Sequence, residues 1–446
     1  MTTLLPLILG WLLAPFCYGV SPELDELVQS YFRSRNSDQR AELADSIEEL
    51  TNGDLALVAD ALQEVQLWDL PPGNTGHFMT PSDTEPTVIG SYQLPPGYDP
   101  RRRYPVIICM PEDQYSCLLV LGQAMEMLHQ TARESVLLCP QWPDAASMHQ
   151  PGLVSGYINR LLRHTRKYIH TDTDRVYVFG VGKGGDAAWL VALTHSNWLA
   201  GAIILSGFPQ LPYPESTIPL LLENLRGLEI LTAWDAPSAV ASDPRVALVS
   251  AHNRAIAAWA KKLSVPIHGI ELDADHALDS PDGIPETLEV EIAKILKKRR
   301  KPVGGQVSHW FRYGRHGRTG WLTQTRFKGS VWEAQQMAIL PPSSDDRNAY
   351  ITEVIKDKLA YLGGRIEDQQ VTIETRRCAK IELLLPDGLL DWDRPVIVRC
   401  NGSQRYNRII RPSVHTMLET AYQDWDFQRL SVARLSIAIR SDMAER

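Results

Sequence analysis

Between Thr87 and Lys301 the chain alternates short apolar, β-branched runs with stretches of helical periodicity, and few folds accommodate that alternation. The runs are Tyr104–Met110, Ser135–Cys139, Val176–Phe179, Ala202–Leu205, Leu228–Thr232 and Ile267–Leu272. Helical patterns lie between or after them at Leu118–Ala132, Leu153–Tyr168, Asp186–Leu193, Val246–Leu263 and Pro285–Lys298. Strands separated by helices of this length predict a largely parallel sheet covered on both faces. Ligand sites in such sheets lie beyond the carboxyl ends of the strands, so the residues after each strand are the ones to interrogate.

The flanks differ. Leu24, Leu27, Val28 and Tyr31, then Leu43, Ile47 and Leu50, recur at helical spacing and predict a helical segment from Ser21 to about Trp68. Pro71-Pro72-Gly73-Asn74 breaks it, and the polar stretch through Glu85 reads as a linker. Beyond residue 305 the strand signals are Val371–Thr375, Lys380–Leu385, Pro395–Arg399, Gln404–Ile410 and Leu430–Ile439. Asn401-Gly402 is a type I′ hairpin signal. The expected division is residues 1–19, a signal peptide; 20–86, a helical segment and linker; 87–301, the α/β domain; 302–446, a junction and β-rich domain.

Composition closes off other classes. With 44% hydrophobic and 22% charged residues the chain is neither disordered nor polytopic. Its 45 Lys+Arg against 53 Asp+Glu, net −8, give no overall footprint for nucleic acid. The apolar run Leu4–Phe16 is short for a membrane span, and small residues at Cys17 and Gly19 suit signal cleavage, so export to the periplasm or medium is expected, with an uncleaved anchor as the alternative. Cleavage leaves Cys109, Cys117, Cys139, Cys378 and Cys400, an odd number without C-x-x-C spacing, which argues against a disulfide framework or zinc site. Cys109 and Cys139 end apolar runs and read as small core residues.

The segment Arg175-Val176-Tyr177-Val178-Phe179-Gly180-Val181-Gly182-Lys183-Gly184-Gly185-Asp186 runs from a strand through a glycine-rich turn into a helix. This matches a nucleophile elbow, G-x-S-x-G, in which glycines let strand and helix approach around a strained central residue. Arg175 to Gly207 resembles the α/β-hydrolase superfamily, within it secreted esterase-like and prolyl-oligopeptidase-like proteins. Tyr92–Asp99 and Arg103–Val106 resemble the segment leading to their oxyanion-hole strand. The resemblance covers about residues 87–300 and implies an α/β-hydrolase fold. It places the acid of a triad near Asp235, with Asp243 a second candidate, and the histidine on His276.

Two departures stand out. Gly182 occupies the nucleophile position, so no acyl-enzyme can form there. After Tyr104–Met110, where relatives carry an oxyanion-donating turn, the chain reads Met110-Pro111-Glu112-Asp113. Pro111 has no N–H to donate, and Glu112 brings a carboxylate to the place where an oxyanion would develop. Lys183 is a candidate partner for Glu112 or Asp113. The expectation is an impaired hydrolase, a pseudo-esterase or pseudo-peptidase, with a binding or scaffolding role toward a small ester, peptide or glycan. A hydrolase using His276, Asp235 or Glu112 to activate water is one alternative.

Another alternative rests on residues 294–328, where Lys294, Lys297, Lys298, Arg299, Arg300, Lys301, Arg312, Arg315, Arg318, Arg326 and Lys328 occur without an acidic residue. Trp310, Phe311, Tyr313, Trp321 and Phe327 interleave with them, a pattern that serves either a polyanionic glycan or the packing of a domain junction. Gly180, Gly182 and Gly185 also match G-x-G-x-x-G, but Ser206-Gly207 follows the next strand where a ribose-binding acid belongs. Asp273, Asp275 and His276 are sparse as metal ligands. No cofactor or metal is expected.

Overall fold

The structure is a computed structural model that describes residues 21–71, 73–80, 87–112, 116–142, 151–237, 244–273, 278, 284–332, 339 and 347–439. Residues 1–20, with the expected signal peptide, and Asp113, Asp243, Asp275 and His276 lie outside the described residues. The chain forms two compact units, within residues 1–66 and 67–446.

The first unit is three helices, α1 (Pro22–Arg33), α2 (Ser37–Thr51) and α3 (Leu55–Glu64). Ser21, Asn36 and Asp54 cap their N-termini, each side chain accepting from a backbone N–H of the first turn. Leu24, Val28, Tyr31 and Ile47 of the periodic set are buried, as are Val58 and Leu62 of α3, whereas Leu50 is exposed.

The second unit is built on an eight-stranded sheet. Its strands are β1 (Thr75–Thr80), β2 (Val88–Gln93), β3 (Tyr104–Met110), β4 (Val136–Gln141), β5 (Thr171–Val181), β6 (Gly201–Leu205), β7 (Glu229–Asp235) and β8 (Ile267–Leu272). They lie in the order β1-β2-β4-β3-β5-β6-β7-β8. The β1–β2 and β2–β4 pairs are antiparallel and the rest parallel. The connecting helices are α4 (Cys117–Met127), α5 (His129–Arg133), α6 (Pro151–Tyr168), α7 (Gly182–His195), α8 (Pro214–Leu222), α9 (Pro244–Leu263) and α10 (Glu286–Ile295).

The central strands of this sheet are buried on both faces. Val106, Ile108, Val176, Val178, Ala202 and Ile204 join one core with α6, α7 and α9. Ile107, Cys109, Tyr177, Phe179, Ile203 and Leu205 point the other way, into a core with α4 and α10. That alternation is the period-2 geometry of a strand covered twice.

The remaining strands are β9 (Gln306–Phe311), β10 (Arg318–Thr319), β11 (Leu322–Phe327), β12 (Ala360–Glu367), β13 (Gln370–Arg376), β14 (Cys378–Leu385), β15 (Val396–Cys400), β16 (Ser403–Arg408) and β17 (Ala433–Ala438). They form sheets of order β10-β11-β14-β17 and β16-β15-β13-β12-β9. Asn401 and Gly402, at φ 49° and 79°, make the two-residue turn between β15 and β16 that type I′ requires.

Three expectations need correction. The stretch read as a linker contains β1, an edge strand with only Phe78 and Met79 as large apolar residues and hence little hydrophobic signal. Leu118–Ala132 is two helices, broken at His129, whose φ is 46°. The third region also carries helices α11 (Arg347–Lys358) and α12 (Val414–Asp424), the first too weakly amphipathic to read from its pattern.

Candidate active site

The elbow forms where β5 meets α7. Gly182 opens the helix at φ 55°, a left-handed conformation that an L-residue adopts at a cost and glycine adopts freely. Gly184 is required by close approach: a Cβ there would collide with the carbonyl oxygen of Met110 at the end of β3. Helix α7 therefore starts four residues before the apolar pattern of Asp186–Leu193, on glycines that propensity alone reads as loop.

Glu112 fills the space beside the elbow. The backbone N–H of Lys183 donates to Glu112 Oε1 at 3.2 Å. A Cβ built on Gly182 would fall far inside van der Waals contact distance of that oxygen and 3.1 Å from Glu112 Cδ. The carboxylate thus occupies the position where a side chain at 182 would begin. It also holds the amide of the residue after it, the usual oxyanion donor of such elbows. Burial raises the Glu112 pKa, opposed by the Lys183 amide and the Arg245 charge. Pro111, buried, separates Glu112 from β3 and offers no N–H.

Asp235 is the last residue of β7 and is buried, with Oδ1 accepting from the N–H of Leu278 at 3.0 Å. Leu278 lies two positions after His276 in the sequence. Glu112, Gly182 and Lys183 therefore come together, and Asp235 sits on the same carboxyl edge two strands along. Asp273 directly follows β8. Among the described residues no group of three His, Cys, Asp or Glu is placed to hold a metal ion.

Sequence reasoning missed a second carboxylate under the elbow. Asp186, wholly buried in the first turns of α7, accepts from Phe208 N–H at 2.9 Å, Gln210 Nε2 at 2.7 Å and Arg245 Nη2 at 3.1 Å. Burial raises its pKa, and these donors offset part of that rise. The one available signal was an acidic residue on an otherwise apolar helix; Arg245, 59 positions away, had none.

In the basic, aromatic segment Trp310, Phe311 and Trp321 are buried, so these three rings pack the fold and offer no stacking platform. The five described cysteines are unbridged, with Cys109 and Cys139 in the core as expected. No described helix is long and apolar enough to cross a membrane.

A mostly parallel sheet wrapped on both faces, with a strand–elbow–helix at its carboxyl edge, defines an α/β-hydrolase fold. No family model matches the chain, and no curated protein does. Solved structures similar to it include a thermostable esterase at 16% identity, covering 51% of this chain and 63% of that one, with a TM-score of 0.40. A Staphylococcus aureus fluorophosphonate-binding serine hydrolase shows 13% identity over 51% of this chain and 100% of that one, TM-score 0.38. Dipeptidyl peptidase 4 of Porphyromonas gingivalis shows 14% identity over 50% of this chain and 35% of that one, TM-score 0.36. The chain thus spans less than two thirds of the esterase and about a third of the peptidase.

Proposed function

We propose that this protein is a catalytically impaired member of the α/β-hydrolase fold, exported from the cell, that binds or scaffolds and does not turn over. The observation that carries the reading is Glu112: its carboxylate lies on the Lys183 amide and against Gly182. Gly182 is the degenerate nucleophile position, and Asp235 and His276 are what remains of a triad. An oxyanion hole with an anion of the protein's own in it repels the negative charge that acyl transfer develops. The relict cleft then serves a small ester, peptide or glycan as ligand.

A second reading follows from the raised pKa of Glu112, since a carboxyl tuned upward is suited to activate water as a general base. One panel separates the two. Wild type, Glu112→Gln and His276→Ala are assayed on a short-chain aryl ester. The impaired reading expects no turnover above buffer in any of them. Turnover by wild type that falls in Glu112→Gln or His276→Ala would establish the water-activating mechanism instead.

A further inference from the structure

Helix α7 has its elbow at one end and a cavity at the other. Its 14 residues span about 20 Å, so His195 at its C-terminus is remote from Gly182. The cavity, of about 520 Å³, lies between the ends of α6 and α7 and the strands β10, β11 and β14. That volume suits a small organic molecule and exceeds what a bare inorganic ion needs. Leu162, Trp198, Val303 and Leu384 give it an apolar wall, with Trp198 stacked on His195 at 4.0 Å between ring centroids.

Its charge is unbalanced. Six arginines and four aspartates line it. The aspartates are largely committed: Arg300 donates to Asp174 at 2.9 Å and Asp426 at 2.8 Å, Arg318 donates to Asp424 at 2.8 Å, and Asp387 accepts from Trp392. Arg166, only 8% exposed, gives Nη1 to the Asp424 carbonyl, while its buried Nε and Nη2 have no hydrogen-bond partner among the described residues. Arg429 donates to the carbonyls of Asn197 and Lys301, with Asp174 no nearer than 4.0 Å. Arg163 and Arg315 stand exposed at the rim, so the imbalance rests on Arg166 and Arg429. The histidines stay neutral and leave that balance unchanged, for burial drives the His195 pKa down to about 3 and that of His316 well below its ordinary value. Burial and the neighbouring Arg300 push the Arg429 guanidinium down to about 9, the sign of cations held together without enough counter-charge.

Asp424 and Asp426 supply part of the Arg166 counter-charge, but its two buried N–H groups without acceptors are unfavourable unless an anion arrives to meet them. We propose that this cavity is a binding site for a small organic anion, its carboxylate or phosphate group received by Arg166, Arg429 and Arg315 and its apolar body by Trp198 and Leu162. Nothing in the elbow is required for it, so the site functions whether or not the relict cleft does.

The test is titration calorimetry on the whole protein at fixed ionic strength, with phenyl phosphate, benzoate, inorganic phosphate and benzyl alcohol as probes. Saturable binding of phenyl phosphate or benzoate at one site per chain is expected, and which of the two binds tighter assigns the anionic group. Arg315→Gln, at the exposed rim where the fold tolerates change, and Arg166→Gln should each weaken it about tenfold or more. Gly156→Ala should weaken it too, since a Cβ there collides with the Arg315 guanidinium. The proposal is overturned if neither aryl anion binds, if benzyl alcohol or inorganic phosphate binds as tightly as they do, or if the folded Arg315→Gln protein binds like wild type.

Discussion

Replacing Gly182 with alanine measures what the Glu112 carboxylate contributes at the elbow. The substitution has two costs. An L-residue held at φ 55° is disfavoured by about 1 kcal/mol whatever surrounds it. The added methyl also overlaps Glu112 Oε1, and because that atom ends a flexible, half-buried side chain, rotation relieves the overlap. The loss is then one hydrogen bond from the Lys183 amide to a carboxylate, 3.2 Å long and partly solvated, about 1 kcal/mol net. Gly182→Ala should therefore destabilise wild type by about 2 kcal/mol, but a Glu112→Ala background by only about 1. The coupling of about 1 kcal/mol exceeds the ~0.5 kcal/mol scatter of additive pairs, so urea unfolding of the four proteins resolves it. Equal costs of Gly182→Ala in both backgrounds would refute the claim that Glu112 occupies the side-chain space of residue 182.

Other outcomes follow from buried groups. Burial lowers the pKa of His170 and His309 to about 4 and of His195 to about 3. Because these folded values lie below the unfolded one, the stability they contribute is complete above pH ~6.5 and is lost as pH falls toward 4, by up to about 1.4 kcal/mol per unit for each group. Urea midpoints at pH 7 and 5 check this, and a flat profile would contradict it. Arg300→Met leaves Asp174 and Asp426 without their main partner and should cost about 3 kcal/mol in the same assay. Trp321, fully buried with Nε1 donating to the Gly304 carbonyl, should cost about 3–5 kcal/mol as Trp321→Ala; a loss below 1 would mean the two small sheets pack without it.

Much of the architecture was legible because the strands of the main sheet are apolar on both faces. Tyr104–Met110 and Val176–Phe179 read as strands from composition alone, and the intervening helices from their periodicity. The hairpin at Asn401-Gly402 was legible for a different reason, since few sequences satisfy two successive positive φ angles. Illegible elements were those whose burial depends on distant partners. β1 is a polar edge strand, and β12 contains Gly363-Gly364, which lie close to Tyr361 and Trp321 and give no strand signal. At the elbow, the pattern and the strand ends pointed to Gly182 and Glu112, which the fold brings together, and the family resemblance to Asp235, which ends β7. The sequence put a carboxylate at the oxyanion position and named Lys183 as a partner, but not that the backbone amide of Lys183 would be the donor, because backbone donors leave no trace in side-chain identity. Asp186 and Arg245 escaped for a related reason: their pairing is tertiary and follows no period.

In the proposed reading the elbow has lost its nucleophile, and residue 182 is where it stood. Intact-mass analysis after incubation with a fluorophosphonate, which phosphonylates an activated serine with loss of fluoride, tests this on the protein itself. Wild type should remain unmodified. Glu112→Ala combined with Gly182→Ser should gain one phosphonyl group at residue 182, and adding His276→Ala should abolish it. Modification of wild type, or a folded double variant that stays unmodified, would contradict the assignment.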